Sequence, residues 1–90
     1  MGVKNLVLKQ KMIEGINASN LSKKEKRKAV RALVWNPWAF QVAKAHTEDA
    51  AEDEGVELSE IDWENFDWEA AADFWVKIIE AVAKIILAVI

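Results

Sequence analysis

Residues 68–90, WEAAADFWVKIIEAVAKIILAVI, decide the fold. Residues 71–90 carry four charges: Asp73, Lys77, Glu80 and Lys84. At about 100° per residue in a helix these fall within an arc of about 60°. Asp73/Lys77 and Glu80/Lys84 stand four apart in the favourable order. The rest is apolar: Phe74, Trp75, Val76, Ile78, Ile79, Val82, Ile85, Ile86, Leu87, Val89, Ile90 and five alanines. The segment reads as a helix from Trp68 to Ile90, about 34 Å long. It has to bury about three-quarters of its circumference. As a single membrane span it fails, because three interior charges cost about 8 kcal/mol and eleven bulky apolar residues return about 5 kcal/mol. It reads instead as the centre of a small all-α bundle of about four helices, with three shorter amphipathic helices around it.

The rest of the chain supplies those helices. Helix-breaking residues are few: Gly2, Gly15, Gly55 and Pro37. Val3, Leu6, Val7, Met12, Ile13 and Ile16 recur at helical spacing on one side of a first helix, which Gly15 and Asn17 are placed to end. Ser22-Lys23-Lys24-Glu25 is a capping box. It starts a second helix running to about Trp35, with Ala29, Val30, Leu33 and Val34 inward. Asn36-Pro37 then restarts the chain as N-cap and first helical residue. A third helix follows to about Asp53, with Trp38, Val42, Ala45 and Phe40 inward and Trp35 and Trp38 bracing the corner. Glu48, Asp49, Glu52, Asp53 and Glu54 crowd its C-terminus, where the helix dipole disfavours anions, so its last turns should fray unless cations cover them. Residues 55–59 read as a linker. Asp-Trp-Glu then occurs twice, at 62–64 and 67–69, an offset of neither helical nor strand period. This is a turn whose aromatics clip onto the core, with Asp67 capping the final helix. One domain therefore contains a basic three-helix segment (1–54), an acidic aromatic linker (55–67) and the hydrophobic helix (68–90).

The net charge of −3 conceals a strong polarity. Residues 1–45 hold ten Lys/Arg against Glu14 and Glu25, a balance of +8, and residues 46–90 hold two lysines against thirteen acids, a balance of −11. The halves can attract each other within the fold, pair head to tail between subunits, or leave the basic half for a polyanion.

Little in the chain points to catalysis. No cysteine is present, which excludes disulfides and thiolate metal sites. His46 has no second histidine to complete a metal shell. With Gly55 as the sixth residue of a calcium loop, Ala50 and Ile61 occupy the first and last ligand positions, so that template fails. Ser19, Ser22 and Ser59 lie in no nucleophile motif. The expectation is a non-enzymatic protein with no catalytic residues, metal site or cofactor. The N-terminus reads as neither a secretory signal nor, with Leu6 where Ser or Thr belongs, a myristoylation site. A cytoplasmic location or the interior of a particle suits such a chain.

The expected function is assembly or protein interaction, for instance as a minor subunit of a viral particle. The helix finishes on apolar residues with no polar tail, and five tryptophans exceed what a small core absorbs. The candidate interface is Trp63, Phe66, Trp68, Trp75, Ile86, Val89 and Ile90, with protein as partner, either self or a larger assembly. One alternative is nucleic acid, with phosphate contacts from Lys23, Lys24, Arg27, Lys28 and Arg31 on a second helix loosely like that of a helix-turn-helix. The other is a membrane-active protein using 68–90.

Overall fold

The computed structural model describes residues 2–90, with side chains from Asn5 onward. It has four helices: α1 Gly2–Ala18, α2 Lys23–Trp35, α3 Pro37–Asp53 and α4 Ala72–Val89. All three earlier helices pack on α4. The described residues form no strand, and the chain is a small all-α bundle with a Cα radius of gyration of 12.1 Å.

The core is built on α4. Trp75, Ile78, Ile79, Val82, Ala83 and Ile86 are buried, an arc of about 140° at helical spacing. Phe74, Val76 and Leu87 flank them half-buried, while Ile85, Val89 and Ile90 remain exposed. Coverage is therefore smaller than three-quarters of the circumference. Asp73, Lys77 and Lys84 face water opposite the core, but neither i,i+4 pair closes into an ion pair. In water such pairs gain little beyond the entropy lost in ordering two long side chains.

Because α4 supplies bulk, its neighbours supply small residues. On α3 the buried stripe is Ala39, Phe40, Ala43, Thr47 and Ala51. Trp38 and Ala45, expected inward, are exposed, and Val42 is half-buried. An interior at crystal-like density has room for one set of large side chains at each crossing. The same rule turns α2, which buries Ala29, Ala32 and Leu33. Val34, expected inward, is 46% exposed. The buried direction is rotated about 75° from the one that Ala29, Val30, Leu33 and Val34 together indicate. On α1 the core takes Leu8, Met12 and Ile16, whereas Leu6 lies outside and Val7 and Ile13 are half-buried. The side chain of Val3 lies outside the described residues.

Two glycines work differently from the sequence reading. Gly15 does not end α1. It is the crossing point with α4, where a Cβ would lie 3.0 Å from Cβ, Cγ1 and Cγ2 of Ile79. The helix instead stops after Ala18, where the Ser19 amide (3.1 Å) and hydroxyl (2.6 Å) both donate to Ile16 O. Gly55 is a helix terminator and not mere linker. Its φ of +81° is in the left-handed region. Gly55 N donates to Glu52 O (2.9 Å) and Val56 N to Ala51 O (2.8 Å), the two bonds of a Schellman motif. These bonds close the acidic end of α3, which is helical to Asp53 with no ion pair at that end among the described residues.

The helix starts follow the sequence more closely. Glu25 N donates to Ser22 Oγ (3.2 Å) and Ser22 N to Glu25 Oε1 (3.1 Å), the full capping box. Asn36 Oδ1 accepts from Trp38 N (3.1 Å) and Ala39 N (3.2 Å). The start of α4 is later than expected. Asp67 Oδ1 accepts from Ala70 N (3.0 Å) and Asp67 O from Ala71 N (3.1 Å). Asp67 thus caps a separate turn, and α4 begins after Ala71 with no side-chain cap.

Candidate docking surface

The capping box fixes where α2 begins, and so which side chains share its outer face. Lys23, Lys24, Arg27, Lys28 and Arg31 are all exposed there. Among the described residues the one ion pair is Lys11–Glu14 at 3.4 Å, so none of these five cations is neutralised by a carboxylate. Two apolar side chains stand among them: Val34 and Trp35, the latter 79% exposed. An open hollow of about 510 Å³ is lined by Asn17, Lys23, Lys26, Arg27, Val30, Arg31, Val34 and Trp35. A second, of about 340 Å³, is lined by Lys28, Arg31, Ala32, Trp35, Asn36 and Ile90. Arg31 and Trp35 belong to both. The second hollow brings the end of α4 beside the end of α2. A surface with an accessible indole, aliphatic neighbours and a rim of cations can bury an apolar anchor against a partner that carries negative charge.

The corner between α2 and α3 is held by Asn36 and not by tryptophan. Asn36 N donates to Ala32 O (2.9 Å) and Phe40 N to Asn36 O (3.1 Å). Trp35 and Trp38, expected to brace it, both project into solvent. The buried residues on either side of this corner include Ala32 on α2 and Ala39 on α3, and a close-packed core that takes alanine there leaves no room for an indole.

The linker aromatics are engaged within the chain. Trp63 stacks on Trp68 (centroids 5.3 Å apart), and Phe66 (4.8 Å) and Trp75 (5.3 Å) meet Trp68 edge-on. Lys11 Nζ lies 4.8 Å over the Trp68 ring. Trp75 Nε1 donates to Lys11 O (2.8 Å) and Trp68 Nε1 to Trp63 O (3.3 Å). These contacts clip the aromatic turn to α1 and α4. Asp62 closes the turn by accepting from Asn65 Nδ2 (2.7 Å) and Glu64 N (3.2 Å). The Asn65 amide, then the Glu64 N–H, hold its carboxyl below the usual range. Trp63 Nε1 is buried with no acceptor among the described residues.

The predicted site residues are therefore divided. Trp63, Phe66 and Trp68 are half-buried, and Trp75 and Ile86 fully buried, in the chain's own interior. Val89 and Ile90 are exposed, and Ile90 alone adjoins the basic face. The five candidate phosphate contacts share that face, and four of them, Lys24, Arg27, Lys28 and Arg31, line one further hollow. Sequence reasoning missed Val34, Trp35 and Leu6 as exposed residues. The available signal was the pair Ala29/Ala32, which marks the side of α2 that can approach a bulky neighbour.

Three of the hydroxyl groups are bonded within their own segments. The Ser19 hydroxyl bonds Ile16 O, Ser22 is a cap, and Thr47 Oγ1 donates to Ala43 O (2.7 Å). His46 is exposed. Among the described residues no group of three or more His, Cys, Asp or Glu could hold a metal, and no helix is long and apolar enough to cross a membrane. Compared with protein-family models, curated proteins and solved structures, the chain matches none of them.

Proposed function

We propose that the chain is a non-enzymatic assembly module that docks on a protein partner through the outer face of α2 and the adjoining end of α4. One observation carries this reading. Val34 and Trp35 stand exposed among five unneutralised cations, with Ile90 across a shared hollow. Exposing an indole to water forgoes burial of about 150–250 Å² of surface. Tryptophan and arginine are also the residue types that dominate binding energy at interfaces. A subunit of a larger particle, a viral one among the options, is a setting that suits such a module.

The test is photo-crosslinking in the cells that make the protein, with a photoreactive residue at Trp35 or, as control, at the exposed Asp73. The expected result is a discrete polypeptide adduct from position 35 and none from position 73. No adduct, or equal adducts from both positions, overturns the reading. A second reading, nucleic-acid binding, has its own support in the hollow rimmed by Lys24, Arg27, Lys28 and Arg31 beside an indole on which a base can stack. It predicts a nuclease-sensitive adduct at Trp35 and binding that weakens steeply with salt.

A further inference from the structure

The two charged regions are carried to opposite ends of α1. Lys26 Nζ donates to Asn17 O (3.0 Å), which ties the basic start of α2 to the end of α1. Lys44 Nζ donates to Asn5 Oδ1 (3.0 Å), and Glu48 shares a hollow with Asn5 and Leu8, which places the acidic end of α3 at the start of α1. Asn5 and Asn17 are about 18 Å apart along a helix. That exceeds the screening length of about 10 Å at 0.1 M salt, so at that ionic strength the attraction between the poles is largely screened. Each pole also has exposed apolar surface: Val34 and Trp35 at the basic one, Leu6 in the same turn as Asn5 at the acidic one.

We infer that the basic face of α2 docks on the acidic pole of a second copy of the chain, head to tail. The inference rests on the docking reading and names its partner. A two-fold dimer through either pole sets like charge against like, whereas a heterologous contact pairs every pole with its opposite and continues into a ring or filament. A polyanion drawn to α2 engages one pole only, while a second copy engages both poles.

The experiment is sedimentation of three full-length chains. These are the unaltered protein, K24Q/R27Q/R31Q, and E52Q/D53N/E54Q, all altered at exposed positions, with circular dichroism to verify folding. In about 20 mM salt the unaltered chain should gain mass with concentration, and return to a single chain in about 0.5 M salt. Each variant alone should stay single. Their equimolar mixture should give a two-chain particle and nothing larger, because one native pole of each kind remains. An unaltered chain that stays single at low salt, or a mixture without the two-chain particle, overturns the inference. If the Trp35 adduct persists in cells but contains a different polypeptide, the second copy is excluded while the docking surface stands. Loss of both is failure of the docking reading itself.

Discussion

A methyl group added at Gly15 would meet Ile79, which is 1% exposed and anchored at the centre of the core, at 3.0 Å. Alanine gains about 0.5–1 kcal/mol in helix preference over glycine, but overpacking a filled interior costs about 1–3 kcal/mol. Since Cβ of Ile79 cannot swing away, the clash outweighs the gain. Gly15→Ala should lose about 1 kcal/mol in urea unfolding, and equal or greater stability would show that α1 and α4 separate easily. At Glu25 the consequence is for pH. The Ser22 amide, then its hydroxyl, hold the Glu25 carboxyl below the usual glutamate range. A carboxyl with a depressed folded-state pKa adds stability that is complete above its unfolded value and lost as pH falls through the folded one. The start of α2 should therefore loosen on acidification through that window. Carbon-13 titration of Glu25 checks this, with the midpoint expected to rise in Ser22→Ala. A midpoint already at the value of an unstructured peptide would refute the bond.

At the scale of elements, the end of α3 depends on one backbone conformation. Gly55 at φ +81° meets nothing within 4 Å of an added Cβ, so Gly55→Ala tests conformation alone. It should cost about 1 kcal/mol, the penalty of a left-handed alanine, and speed amide exchange over 50–56; exchange unchanged from the parent would remove the Schellman motif as the cause of the stable end. This element also marks where sequence legibility stops. The starts of α2 and α3 were readable because Ser22, Glu25 and Asn36 act through bonds to residues two or three away, whereas that of α4, which has no side-chain cap, was not. The aromatic turn was readable because a five-residue repeat suits no regular element. The faces of α2 and α3 were not. Val34 and Trp38 lost their places to Ala32 and Ala39 through the bulk of α4, a property of a distant segment. The candidate docking surface was half legible for the same reason. Its cations follow from helical spacing, but its apolar residues follow from what the core rejected.

For the whole molecule, the question is whether the charges favour the fold or oppose it. Within α2, Lys23/Arg27, Lys24/Lys28 and Arg27/Arg31 are like charges four apart, and so are Glu48/Glu52 and Asp49/Asp53 on α3. Each such pair costs about 0.2–0.5 kcal/mol, in all about 1–2.5 kcal/mol of repulsion that salt can screen. The opposing attraction acts between poles about 18 Å apart along α1 and is itself largely screened at 0.1 M salt. At micromolar protein, where copies stay apart, raising sodium chloride from about 0.1 M to about 1 M should therefore stabilise the single chain by about 1 kcal/mol. The same salt should dissolve the proposed head-to-tail contact at higher concentration. The opposite signs separate the two effects, because one quantity reports repulsion inside each pole and the other attraction between copies. Should the dilute chain instead lose stability with salt, the halves attract within one molecule more strongly than each repels itself. The basic face of α2 would then already be compensated, and a partner of opposite charge would have little to add.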